Sequence, residues 1–254
     1  MMRHAAVHVV VAVVALASVG EALAQVPPDP SMKWEIVDNS FLVEESFNQE
    51  PGVFQNIFTW IRGRDGRWQA SFTQEWPVPT LTHQFSYTIP FSSGDFGVGL
   101  TDVLLNYRYQ LLTESDSRPA ISPRISLITP TGRKADALGD GVFGLEINIP
   151  ASKQFGDLYI HANGGFRWLS GLHRTPHAAG GGIWRLTSMF HLVLEGVLEF
   201  ADEATVTTIS PGFRRGWNIG DHQLVVGAAA PLTALNGTST VALLTYFSYE
   251  LPFR

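Results

Sequence analysis

The amino-acid sequence predicts an all-β fold: an antiparallel transmembrane β-barrel of about 12 strands, with short periplasmic turns and longer external loops. Apolar and polar residues alternate with period two through most of the chain. After the N-terminal stretch, no run of about 18 apolar residues occurs, which excludes transmembrane helices. Hydrophobic residues make up 45% of the chain and charged residues 16%, as expected when apolar side chains are spread over many short lipid-facing strands.

The C-terminal strand shows this pattern well. The chain ends in TSTVALLTYFSYELPFR (238–254), where Ala242, Leu244 and Tyr246 are the less polar exceptions on the face that carries Thr240, Ser248 and Glu250. The opposite face is apolar or aromatic: Val241, Leu243, Phe247, Tyr249, Leu251 and Phe253. The strand resembles the C-terminal signal that barrel-insertion machinery reads, except that Arg254 follows the aromatic residue. Taken alone, it fits the last strand of a soluble sandwich equally well.

The N-terminus predicts export. Arg3 precedes an apolar run over 5–19 that is interrupted by His8, and Ala22-Leu23-Ala24 forms a small-residue cleavage site. Residues 1–24 are therefore predicted to be a signal peptide for the Sec route, cleaved near Ala24; the alternative is a retained membrane anchor. The chain has no cysteine, so no disulfide framework is expected.

Residues 53–254 are predicted to form the barrel. Strong alternation covers 67–76, 80–91, 102–112, 121–127, 143–152, 158–168, 192–200 and the C-terminal strand, and weaker alternation covers 53–62, 177–187, 204–215 and 222–232. Twelve is an even number, as bacterial barrels require, but ten or fourteen strands remain open. The soluble sandwich is disfavoured because aromatic residues lie near strand ends, where aromatic belts meet the membrane interfaces.

With the N-terminus in the periplasm, most short connections lie on the periplasmic side and most long ones, including 92–96, 129–140, 170–176 and 232–239, lie outside. Connections 113–118 and 202–203 break this rule by their lengths. Residues 25–52 do not join the alternation. This part of the chain is predicted to be a periplasmic extension or a plug inside the lumen, and an extra strand over 41–47 remains open. Gly180-Gly181-Gly182 are expected to make room for a bulky neighbour or for such a plug.

Two stretches carry a family resemblance. They are GVGLTDVLLNYRYQLL (97–112) and PAISPRISLITPTGRKADALGDGVFGLEINIPASKQFGDLYIHANGGF (119–166). Together they cover roughly a third of the exported chain. They resemble the outer-membrane transporter family assigned to the MetA pathway of phenol degradation. The resemblance implies a barrel fold and the passage of aromatic or other small hydrophobic compounds. It brings no defined set of binding residues.

Strand parity points one set of polar and charged side chains into the lumen. These candidates for setting selectivity are Arg108, Arg124, Glu146, Tyr159, His161, Arg167, Arg185, Glu195, Glu199 and Arg214. Groups of both signs can instead pair across the interior and close it as a salt-bridged core.

No enzyme activity is expected, because His161 and His191 belong to no recognisable Ser/His pattern and no Gly-x-Ser-x-Gly elbow occurs. No cofactor or metal is expected either. His173 and His177 are four residues apart, but Pro176 between them disfavours the helix that this spacing would need.

These observations predict an outer-membrane channel or porin-like transporter of a Gram-negative bacterium, for passive uptake of small molecules, including aromatic or hydrophobic ones. The alternative is a structural or surface-interaction barrel with a closed, salt-bridged interior. The expected partners are outer-membrane lipid and lipopolysaccharide, which Arg133 and Lys134 could contact, the barrel-insertion machinery and a small-molecule solute. The net charge of -6 argues against nucleic acid.

Overall fold

The computed structural model describes residues 36, 40–49, 52–94, 97–172, 174–201, 204–220 and 222–252. The predicted signal peptide and the terminal Phe253-Arg254 lie outside these residues. The strand segments are β1 (Val53–Gly63), β2 (Trp68–Trp76), β3 (His83–Gly94), β4 (Gly97–Leu100), β5 (Leu104–Tyr109), β6 (Ala120–Ile121), β7 (Arg124–Ile128), β8 (Gly144–Phe155), β9 (Leu158–Leu169), β10 (Arg174–Thr187), β11 (Phe190–Ala201), β12 (Ala204–Ile219), β13 (His222–Ala229), β14 (Leu232–Leu235) and β15 (Thr238–Pro252). One 3-10 turn spans Lys134–Asp136.

These segments form a closed antiparallel barrel of twelve strands. Three of the strands are interrupted: β4 and β5 both pair with β3, β6 and β7 with β8, and β13 and β14 with β12 and β15. Pro123 and Pro231 lie at two of the interruptions, where a residue without an N–H ends the ladder. β1 pairs with β15 from Val53↔Pro252 to Gly63↔Ala242, which closes the sheet. The predicted fold class and strand number are confirmed.

The two ends of the barrel differ. One end, the turn end, contains Val53, Pro252 and the two-residue turns 156–157 and 188–189. The opposite end, the loop end, contains the longest connection, 129–143. The prediction of a long connection over 232–239 is wrong, because 232–235 forms β14 and only Asn236 and Gly237 form the turn. Both have positive φ, 49° and 78°, which is the backbone of a tight hairpin turn.

The barrel wall has an apolar outside and a polar inside. Outward side chains such as Trp184 and Leu194 are each 57% exposed, whereas the inward Glu195 on the same strand as Leu194 is 1% exposed. This is the distribution expected of a wall that faces lipid, and the reverse of a soluble protein. Among the described residues, no helix is long and apolar enough to span a membrane.

Candidate functional site

Residues 40–49, here called the lumen segment, lie among the inward-facing side chains of the barrel. Before the segment, the N–H of Ile36 donates to the Ser188 carbonyl at the turn end (3.2 Å). At its other limit, the N–H of Gln49 donates to Gln84 Oε1 on β3 (2.7 Å). Between these points the chain reaches Glu195 on β11 and Asn163 on β9. The segment is not a strand of the sheet, so the extra strand considered over 41–47 is not formed.

One side of the segment packs against an apolar patch of the wall. The ring of Phe41 lies 5.2 Å from that of Tyr246, centroid to centroid. A Cβ at Gly227 would stand 2.5 Å from Phe41 Cζ, and one at Gly216 would stand 2.7 Å from Ile36 Cγ1. These glycines therefore allow the close approach of a neighbouring chain.

The glycines that the sequence suggested for this role are different ones. A Cβ at Gly180 would meet only the His161 carbonyl within 4 Å, and one at Gly182 only Leu158 and Tyr159. The prediction that they make room for a plug is wrong at these two positions, whereas a Cβ at Gly181 would stand 3.2 Å from Glu195 Cγ, so this glycine makes room for a bulky neighbour, which was the other expectation. The room for the plug lies instead on β12 and β13, whose glycines face the segment.

Wall side chains satisfy the backbone of the segment. Glu195 Oε1 accepts three N–H bonds, from Phe41 (2.9 Å), Leu42 (2.8 Å) and Val43 (2.9 Å). Asn163 accepts the N–H of Glu44 and donates to its carbonyl, both at 2.7 Å. Buried backbone groups need such partners, and here they come from the barrel interior instead of a sheet ladder.

The carboxylate of Glu44 is the centre of a buried charge cluster. Arg124 Nε lies 2.8 Å from Glu44 Oε2, Arg108 Nε lies 3.1 Å from Oε1, and Asn148 Nδ2 donates to Oε2 at 2.6 Å. Burial by itself would raise the pKa of Glu44, but the guanidinium groups of Arg124 and Arg108 and the Asn148 amide outweigh it and lower this pKa to about 2. Glu44 is therefore ionised at neutral pH.

The cluster continues along the wall toward the open lumen. Glu146 lies between Arg124 and Arg167, with N–O distances of 2.8 Å to each. The charges thus alternate from Arg108 through Glu44, Arg124 and Glu146 to Arg167. The Arg124 side chain is 15% exposed and that of Arg167 is 51% exposed. This row of alternating charges, here called the charge ladder, therefore leads from a buried site into an accessible space.

Toward the turn end, the segment is held by hydroxyl groups. The N–H of Ser46 donates to Ser152 Oγ (2.9 Å), and Ser122 Oγ donates to the Ser46 carbonyl (2.6 Å). Ser152 Oγ also lies 2.8 Å from His161 Nδ1, and His161 Nε2 lies 3.8 Å from Glu45. This hydroxyl–imidazole–carboxylate arrangement resembles a catalytic triad in composition, but Ser152 and His161 are each 1% exposed beneath the segment. It anchors the segment.

All ten candidate residues from the sequence have the inward parity of their strands. Six contact the lumen segment or its charges: Arg108, Arg124, Tyr159, His161, Glu195 and Arg214. Glu146 and Arg167 extend the cluster, and Glu199 lines the cavity described below. Arg185 lies near the turn end, 3.2 Å from Asp157 and 5.5 Å above the Tyr159 ring. Their role in selectivity stays a prediction.

Sequence reasoning missed Glu44 as the partner of the arginines. The available signal was an acidic pair, Glu44-Glu45, in the one stretch without alternation, beside a barrel whose interior carries several arginines. The sequence disfavours a metal site at His173 and His177, and His173 lies outside the described part of the chain. His177 Nε2 lies 3.2 Å from Asn148 Oδ1, and no group of three metal-ligating side chains occurs among the described residues.

Two adjoining cavities occupy the lumen beside the segment. The first, about 390 Å³, is lined by residues 40–44 together with Arg108, Arg124, Asn148 and Glu199. The second, about 450 Å³, is lined by residues nearer the loop end, including Asp102 and Asp140. Both cavities share a short set of lining residues: Phe41, Thr59, Leu104 and Arg167.

Solved structures resemble this architecture. An outer-membrane channel from Pseudomonas putida F1 matches with a TM-score of 0.58 and 15% identity, over 88% of this chain and 99% of that chain. The KdgM porin matches with a TM-score of 0.57 and 9% identity, over 79% of this chain and 99% of that chain. KdgM in complex with disordered oligogalacturonate matches with 0.53 and 9%, over 80% and 99%. No family model and no curated protein matches the chain. The chain therefore has the fold of outer-membrane channel and porin barrels, and the phenol-degradation family rests on the sequence motifs alone.

Proposed function

We propose that this protein is an outer-membrane channel for the passive uptake of small molecules. The observation that carries the proposal is the pair of adjoining cavities inside a closed, lipid-facing barrel, which leave space for a solute between the loop end and the lumen segment. The likeness to outer-membrane channels in fold and the predicted export signal support this reading. Location in the outer membrane and insertion by the barrel machinery follow from the same proposal.

Small aromatic or hydrophobic compounds are the proposed solute class, on the strength of the resemblance over 97–112 and 119–166. The mechanism is diffusion, with no cofactor and no chemical step. The charged lumen residues set the electrostatic barrier for the solute, and the lumen segment acts as a plug that must shift before the turn-end half of the lumen opens.

Permeation by purified protein refolded in liposomes tests the proposal. Charged benzoates are the better probe, because neutral aromatics cross bilayers unaided, and sugars of similar size are the comparison. We expect benzoates to enter faster than these sugars, and a chain that begins at residue 50 to conduct both faster than the full exported chain. A correctly folded, heat-modifiable barrel that passes no solute in either form would refute channel function.

A closed structural or surface barrel is the second candidate. It is favoured by one observation: the charges Arg108, Glu44, Arg124 and Glu146 are paired, and the lumen segment lies across the interior. Such a barrel would act through its loop end, where Arg133 could meet lipopolysaccharide phosphates; Arg133 now lies 2.7 Å from Asp136. If the chain that begins at residue 50 remains impermeable and the full chain binds lipopolysaccharide, this second function holds.

A further inference from the structure

The surroundings of Glu44 form a built binding site for a carboxylate. Two guanidinium groups and one amide converge on its two oxygens from three different strands: Arg108 on β5, Arg124 on β7 and Asn148 on β8. Arg108 and Asn148 are each 4% exposed. The strands of the barrel wall fix these three donors, whereas the Glu44 carboxylate belongs to the lumen segment, which is not part of any strand. The donors therefore remain in place when the segment moves.

The charge balance of the site requires an anion. Without Glu44, the cluster would hold Arg108, Arg124 and Arg167 against the single carboxylate of Glu146. Buried guanidinium groups without a partner are strongly unfavourable, so departure of Glu44 is costly unless another anion replaces it. Arg–carboxylate pairing is also geometrically specific, since the planar fork of donors matches two oxygens.

The site adjoins a cavity that continues toward the loop end. The cavity of about 390 Å³ is lined by Glu44 itself and by Arg108, Arg124 and Asn148, and its volume is in the usual range for small-molecule sites, about 300–1,000 Å³. Arg167 lines this cavity and the adjoining one, and its half-exposed side chain is the first cation of the charge ladder that an entering anion meets.

We propose that Arg108, Arg124 and Asn148 bind the carboxylate group of a permeating solute, and that Glu44 occupies this site as an internal ligand until the solute displaces it. The inference rests on the proposed channel function and narrows its solute class to carboxylates. Solute binding and displacement of the lumen segment are then one exchange, in which the buried arginines keep a counter-charge throughout.

The first test is binding, which does not depend on permeation. In Glu44→Gln the side chain keeps its size but loses its charge, so benzoate no longer competes with an internal carboxylate. By calorimetry on the refolded barrel, we expect benzoate to bind this variant at least about tenfold more tightly than the wild type, because competition lowers apparent affinity. The affinity for benzyl alcohol, a neutral analogue, should be the same in Glu44→Gln and the wild type. Asp65→Asn is the matched control, since it removes an exposed carboxylate that pairs with Arg67 and lines neither cavity, and it should leave benzoate affinity unchanged.

The second test follows the segment in the wild-type background. The chain has no cysteine, so Val43→Cys provides a single labelling position in the segment, at a side chain that is only 2% exposed while the segment is docked. Benzoate should increase its rate of maleimide labelling, and benzyl alcohol should not. The proposed binding site would be refuted if benzoate bound Glu44→Gln and the wild type with equal affinity. It would also be refuted if benzoate left the labelling rate unchanged. Benzoate binding and displacement without permeation in liposomes would instead overturn channel function and leave the site standing.

Discussion

The docking of the lumen segment depends on glycines that leave room for its aromatic ring, and Gly227→Ala tests this dependence. The new Cβ would lie 2.5 Å from Phe41 Cζ, 2.6 Å from Phe41 Cε1 and 3.1 Å from the Phe213 carbonyl oxygen. Carbon atoms in contact prefer about 3.5–4.0 Å, so the ring must move by about 1 Å. Overpacking of this kind costs about 1–3 kcal/mol, which corresponds to a loss of docking of about 5- to 150-fold.

The labelling rate of Val43→Cys measures this loss, because a side chain that is 2% exposed when docked reacts mainly in the molecules whose segment is undocked. We expect the rate to rise by the same factor in Gly227→Ala while heat-modifiability shows an unchanged barrel. Gly196→Ala is the matched control, since its Cβ would meet only carbonyl oxygens at 3.8 and 3.9 Å. The effect of Gly227→Ala should vanish in a Phe41→Ala background, where the ring is absent. An unchanged labelling rate in Gly227→Ala would refute the reasoning.

Three further predictions concern charge, loop order and the lipid-facing wall. The pKa of a free glutamate is near 4.5, and the pKa of Glu44 in the docked segment is about 2. The contribution of its charge to docking, about 3 kcal/mol, is therefore complete above pH 4.5 and is lost as pH falls toward 2, where cleavage of the lumen segment by pepsin should rise toward the rate seen in Glu44→Gln. Asp102→Asn should increase protease cleavage within 129–143 at constant barrel stability. The reason is that the Asp102 carboxylate accepts N–H bonds from Gly132 and Asp140, both at 2.9 Å; equal cleavage would contradict this anchor. Leu194→Arg, on the lipid face, should destabilise the barrel by about 2–4 kcal/mol in urea unfolding from liposomes, and a neutral result would contradict the assigned outer face.

The barrel could be predicted from the sequence because each strand is buried on one face and meets lipid on the other. That geometry enforces a period of two, and β2 and β9 match the predicted 67–76 and 158–168 within two residues at each limit. The turn at Asn236 was missed because the alternation of β14 is short, although Asn-Gly is a strong hairpin signal.

The lumen segment could not be placed from sequence because its contacts are with the wall and not within the segment. A chain whose N–H groups are satisfied by distant Glu195 and Asn163 side chains shows no period of its own. A signal did exist elsewhere. Leu244 and Tyr246, the exceptions to alternation on the last strand, are 0% and 2% exposed and form part of the apolar patch against which Phe41 packs. Apolar residues on the inward face of a polar barrel therefore indicate where an internal segment docks.

The two sides of the segment differ in how readily they can be released, and this difference bears on how the channel would open. Phe41 in the segment and Ile36 before it pack on apolar surface, for which a carboxylate group offers no replacement. The contacts of Glu44 are with charged and amide groups that any carboxylate can satisfy. A solute acid can thus replace the polar contacts while the apolar ones persist. Opening would then be a local shift of the Glu44 side of the segment, with the Phe41 side as its fixed point, and it would enlarge the existing cavity beside Arg108 instead of expelling the whole segment from the barrel.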